Sequence, residues 1–188
     1  MVICGKAPDD SECIPFKLRF SFGYLSNMQV SENTLKWAMR FYPPLFFQRI
    51  WVKKFHKDFR GVEVKISKSL LNTNYNNSIF GGSIFSASDP FYALLFDQLL
   101  IRRGFKVRVW LKSAQISYLK PGRTNLFFKI VLTDDDIMEA EKALLTIGKF
   151  VKSFPMEIVN AEGEICAKVM NEVYVRNLFK GEEETVAY

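Results

Sequence analysis

Hydrophobic and polar positions alternate in short registers along most of this chain, and one stretch breaks the pattern. From Gly81 to Arg103 (GGSIFSASDPFYALLFDQLLIRR) apolar residues cover most of a helical circumference, with only Asp89 and Asp97 as acids before the basic stop at Arg102 and Arg103. A helix that is hydrophobic nearly all round has to be enclosed by the rest of the protein. Elsewhere the period is shorter. Val62, Val64 and Ile66 alternate with Glu63, Lys65 and Ser67, which predicts a strand with one wet face. After a stop at Gly104, KVRVWLKSAQISYL and NLFFKIVL read as two more strands, parted by the turn Lys120-Pro121-Gly122-Arg123. Lys149 to Asn160 and Glu164 to Val175 read as a hairpin about Asn160–Gly163, and Pro155 argues for an edge or a bulge in its first strand.

Two shorter helices complete the pattern. Ser31 caps one that runs to Tyr42 and stops at Pro43-Pro44, after which LFFQRIWVKKF has the residues of a half-buried strand. Thr133 and the three aspartates after it open another, which runs to about Leu145 with Gly148 past its end. Short links and one fully apolar helix require an antiparallel sheet wrapped around that helix, an α+β arrangement. Residues 1–30 are expected to be an N-terminal extension, 31–178 a single domain, and 179–188 a mobile acidic tail.

Composition narrows the function. With 188 residues, 48% hydrophobic and 18 Phe, the chain has enough apolar content for one sizeable core. Its net charge of +6 is spread without a dense basic block, so anionic ligands are favoured mildly and nucleic acid is not an expected partner. The aromatic, basic segment from Trp37 to Phe55 suits the core or a membrane surface, and ordinary burial preferences favour the core. Cys4, Cys13 and Cys166 form no CxxC pair, and a lone His56 leaves little room for a triad or a metal cluster, so no metal is expected. A cytoplasmic protein without a signal or transmembrane segment is the simplest reading.

On local chemistry alone the candidate site residues keep ordinary explanations. Asp89-Pro90 is a good helix start, in which case Gly81 to Ser88 is an extended lead-in; alternatively the helix begins at Gly82 and Pro90 kinks it. Gly81-Gly82 suits a tight turn, and Asn74 is one of four asparagines in a turn-prone run. Lys120 and Arg123 flank a Pro-Gly turn, where solvated charges are usual, and His56 suits surface packing.

The strings LKWAMRFYPP, FGGSIFSASDPFY, VWLKSAQISYLKPGR, LTDDDI and VYVRN, in this order over about Leu35 to Arg176, resemble the hotdog-fold acyl-CoA thioesterase superfamily. They resemble its phenylacetyl-CoA thioesterase-like part and, more closely, an uncharacterised bacterial thioesterase-like branch. The resemblance implies a hotdog fold around a central helix at about 82–103, and hydrolysis of the thioester in a coenzyme A-linked acyl group. Coenzyme A would enter as part of the substrate, with no separate cofactor. It implies Asp89 as general base or nucleophile, Gly81 and Gly82 as the oxyanion turn, and Asn74 as an amide that polarises the carbonyl. Phe80, Phe85, Phe91 and Tyr92 would line the acyl slot, and Lys120 and Arg123 would receive the phosphates. A homodimer, or a homotetramer built from it, would bring Asp89 of one subunit to the glycine turn of the other. Two positions depart from the better-known branch: Phe80 replaces a histidine and Leu111 a polar residue. The alternative is a protein that binds acyl-CoA without cutting it.

Overall fold

A computed structural model describes residues 28–179. In chain order its elements are α1 (Glu32–Phe41), α2 (Pro43–Phe47), β1 (Ile50–Phe55), β2 (Gly61–Ile66), α3 (Gly81–Ser88), α4 (Pro90–Arg102), β3 (Val107–Tyr118), β4 (Leu126–Val131), α5 (Asp134–Thr146), β5 (Lys149–Val159) and β6 (Ile165–Asn177). The six strands form one antiparallel sheet in the order β1-β2-β4-β5-β6-β3. Alternate residues of each strand face the helices, so the sheet carries one apolar side, and that side closes over α3 and α4. Phe91 packs against Phe128 with ring centroids 5.6 Å apart, Tyr92 stacks on Phe154 at 4.9 Å, and Phe96 meets both Phe150 and Phe154. This is the hotdog arrangement, and it explains why the central stretch is apolar nearly all round.

The central helix is two helices. Asp89 itself has helical dihedrals (φ −67°, ψ −57°), but its side chain caps nothing. The break follows from Pro90, which has no N–H to give to the carbonyl four residues back. Polar groups also bond other carbonyls around the break: the Ser88 hydroxyl donates to Phe85 O at 2.7 Å, and the side-chain amide of Asn171, buried on β6, donates to Ser88 O at 3.1 Å. Gly81 to Ser88 is therefore helical, the kinked alternative, and not an extended lead-in to a cap at Asp89.

The flanking elements largely match their sequence signals. Ser31 accepts from Thr34 N and caps α1, while Thr133 and Asp136 form a capping box on α5. One expectation is corrected: Pro43-Pro44 ends α1 but also starts α2, because a proline at the first helical position sacrifices an N–H that would be orphaned anyway, so the strand begins only at Ile50. Pro155 lies within the sheet order, yet β4 and β5 pair only at Phe127↔Val159, and the Pro155 carbonyl is satisfied by the Tyr92 hydroxyl at 2.8 Å instead of by a strand. The expected extension and acidic tail fall, apart from residues 28–30 and 179, outside the described residues.

Candidate functional site

The start of α3 opens onto a groove of about 270 Å³. One wall is the turn-rich segment leading into the helix, represented by Asn74, Ser78 and Ile79. The floor is Gly81 and Ile84, and the other wall is the end of β3 and the turn after it, from Tyr118 to Gly122. The entry segment is held by backbone bonds from Ile79 N to Gly122 O and from Phe80 N to Asn72 O, both 2.8 Å.

Donors collect at this end of the helix. Ser83 and Ile84 give their N–H groups to Phe80 O, at 2.9 and 3.3 Å, whereas the N–H groups of Gly81 and Gly82 have no acceptor among the described residues. Free N–H groups at a helix N-terminus carry the positive end of the helix dipole. Asn74 spends its side-chain oxygen on the turn, accepting from Asn76 N, Ser78 N and the Ser78 hydroxyl at 3.0 to 3.1 Å. Asn74 lines the groove, and its amide nitrogen has no partner among the described residues. Both roles read from the sequence, turn-former and pocket amide, are therefore open to the one side chain.

Tyr118 is the residue that sequence reasoning missed. Its hydroxyl donates to Gly81 O at 2.8 Å, and a Cβ on Gly81 would come within 3.2 Å of its ring, so the glycine lets β3 clamp the helix start. Partial burial pushes the Tyr118 phenol above its ordinary range. Phe80 packs over the second glycine: a Cβ on Gly82 would run into the Phe80 ring.

The remaining candidates are spread more widely. Asp89 reaches solvent at the α3–α4 break, and burial among its apolar neighbours still pushes its carboxyl above the usual value. It stands seven residues beyond Gly82, about 10 Å along the axis at about 1.5 Å rise per residue, so one chain does not bring the two together. Phe80 and Phe85 are exposed, while Phe91 and Tyr92 are core residues beneath the sheet. Leu111, on the helix-facing side of β3, packs against the core. Lys120 is paired with Glu164 at 2.7 Å, which holds its ammonium above its ordinary value. Arg123 shares a neighbouring cleft with Lys120, Glu162 and Glu164, a set with no net charge. His56 pairs with Glu63 across β1 and β2 at 3.0 Å. Among the described residues no group of three or more His, Cys, Asp or Glu is placed to hold a metal ion.

Solved structures share this fold. A Pseudomonas aeruginosa protein of unknown function, described as a probable thioesterase, superposes with a TM-score of 0.70 at 14% identity, over 80% of this chain and 99% of its own. A protein of unknown function from Chlorobaculum tepidum gives 0.65 at 13% identity, over 77% and 93%. A thioesterase from Haemophilus influenzae gives 0.60 at 13% identity, over 85% and 99%. Among curated proteins no sequence matches. These likenesses concern the fold, a sheet closed over a central helix of the kind built here. The same span of elements, from the first turn of α1 to near the end of β6, is what the sequence family covers: residues 32–175 match the model described as domain of unknown function DUF4442, and the chain belongs to that family.

Proposed function

We propose that the groove at the start of α3 binds the thioester of an acyl-CoA and that the protein hydrolyses it. The observation that carries this reading is the pair of unpartnered N–H groups on Gly81 and Gly82, at a helix N-terminus and beside the free amide of Asn74. An oxyanion on a thioester carbonyl needs donors of this kind. Asp89 supplies the base. Its carboxylate takes a proton from water, the hydroxide adds to the carbonyl carbon, the oxyanion is held by the glycine N–H groups, and collapse breaks the C–S bond as the proton held by Asp89 passes to the leaving sulfur, which releases the coenzyme A thiol and the acid. In the nucleophilic variant the carboxylate itself adds to the carbonyl carbon and the C–S bond breaks to expel the thiolate, leaving a mixed anhydride on Asp89 that water then cleaves to the acid and the free carboxylate. Because Asp89 and Gly82 lie apart in one chain, the reading includes a homodimer in which each subunit completes the other's site. Phe80 and Phe85, both exposed, are the aromatic residues that would meet an acyl chain in this reading.

A second reading, a binder of acyl-CoA without turnover, is favoured by the Phe80 ring over Gly82, because phenylalanine offers no hydrogen-bond donor. A panel of short, long and aromatic acyl-CoAs separates the two. Wild type is expected to turn over at least one of them, and Asp89→Asn to lose about a hundredfold or more in kcat. Since the carboxyl must be ionised and its pKa is raised, the rate should climb with pH through a midpoint above the ordinary carboxylate value and then level off. Equal background rates in both proteins, with thermal stabilisation by acyl-CoA, would leave the binder.

A further inference from the structure

The segment before β2 forms a second surface, unrelated to the groove chemistry. Between Asn33 and Lys57 the chain carries Lys36, Arg40, Arg49, Lys53, Lys54 and Lys57 and no acid. Its apolar residues divide into two sets. Leu35, Met39, Leu45, Ile50 and Val52 are buried, as core packing predicts. Trp37, Phe41 and Phe47 are not: they remain 47, 65 and 62% exposed. Leaving large aromatic rings in water forgoes the main gain from apolar side chains, and a cluster of them marks a contact surface.

The surroundings of the rings say what kind of contact. Trp37 and Phe41 stack on α1 with centroids 6.1 Å apart, and Lys36 Nζ and the Arg40 guanidinium lie 5.4 and 4.9 Å from the Trp37 ring. Aromatic rings beside cations suit the boundary of a bilayer, where rings sit at headgroup depth and cations meet phosphates. The apolar surface also continues. Asn72 donates to both Gln48 O and Ser67 O at 2.9 Å, which fixes the loop bearing Leu70 and Leu71 against the end of α2. Leu70 is 99% exposed, an aliphatic tip with nothing to stack on a base and every reason to enter hydrocarbon. A second copy docked by this face would set the same cations against each other.

We propose that the α1–α2 face and the adjoining Leu70–Leu71 tip form a docking surface for an anionic phospholipid bilayer. No helix among the described residues is long and apolar enough to cross a membrane, so the chain would lie on the bilayer through this face. The docked loop runs on through Asn74 to the groove, which places the groove mouth near the lipid surface where amphiphiles concentrate. The inference stands whether or not the groove cleaves thioesters.

Flotation of the full chain with vesicles tests it. Wild type is expected to float with mixed phosphatidylcholine–phosphatidylglycerol vesicles, poorly with phosphatidylcholine alone, and less as salt rises. Trp37→Ser with Phe41→Ser should weaken the apparent affinity about tenfold or more, and Lys36→Glu about fivefold or more. Leu70→Ser, at a loop tip outside the core, is a variant whose loss of binding cannot come from unfolding. Wild type that stays unbound with both vesicle types overturns the proposal, as does flotation of all three variants equal to wild type. Self-association abolished by the double variant without flotation would assign the face to a second copy, and retention of a single-stranded oligonucleotide without flotation would assign it to nucleic acid. Either result overturns the lipid assignment.

Discussion

Single residues in this protein take their properties from the packing around them. Asp97, on α4 one residue before Gln98, has its carboxyl pushed up to about 6, chiefly by burial and against a hydrogen bond from the Gln98 amide. The folded chain thus holds this proton more tightly than the unfolded one. The stability it contributes is complete below about pH 4 and is lost as pH rises through about 6. Asp97→Asn keeps the group neutral at every pH, so it should stabilise the protein at pH 7 to 8 by about 1–2 kcal/mol, after discounting for partial exposure, and leave it unchanged near pH 4. Thermal melts at the two pH values check this; roughly 2–8 °C is expected at the higher one and none at the lower. Asp97 is visible in the sequence as an acid in an apolar run, but its titration is not, because desolvation depends on neighbours distant in the chain.

The secondary elements divide by how local their causes are. α5 is specified by adjacent residues: Thr133 Oγ1 accepts from Asp136 N at 3.1 Å and Asp136 accepts from Thr133 N at 3.0 Å. Thr133→Ala should therefore cost about 0.5–2 kcal/mol, read as an earlier denaturation midpoint with an unchanged slope, and no loss at all would mean the box is idle. β3 is a different case. Its alternation, counted from Val107, keeps odd positions on the helix side, but the register slips between Leu111 and Ser113, with Lys112 as the extra residue. Beyond the slip the even positions turn inward, and Tyr118 meets Gly81 as a result. A bulge reverses every side chain after it, and nothing in the local composition announces this one. That is why Tyr118 was not legible as a site residue although its strand was.

At the scale of the molecule, β3 leaves a twelve-residue strand at the edge of the sheet. An unpaired edge of that length is a ready template for a second copy. The composite site proposed above makes a sharper demand than assembly alone. If Asp89 of one subunit serves the glycine turn of the other, mixing inactive Asp89→Asn with inactive Gly82→Val should restore about a quarter of wild-type activity, since half the dimers are mixed and each has one intact site of two. Recovery of no activity from a verified mixed dimer would place the site within one chain.

The sequence by itself determined the apolar central stretch, the strand alternation, the caps on α1 and α5 and the turn residues between elements, because each depends on neighbours a few positions away. It also carried the family motifs that led to Gly81, Gly82 and Asp89. Tertiary structure decided the rest: that Asp89 sits at a kink and caps nothing, that Phe91 and Tyr92 belong to the core, and that Lys120 is already paired with Glu164. It also decided that Trp37 and Phe41 face outward while their neighbours on α1 face in. Each of these depends on which distant residue stands opposite, and a one-dimensional pattern cannot supply that.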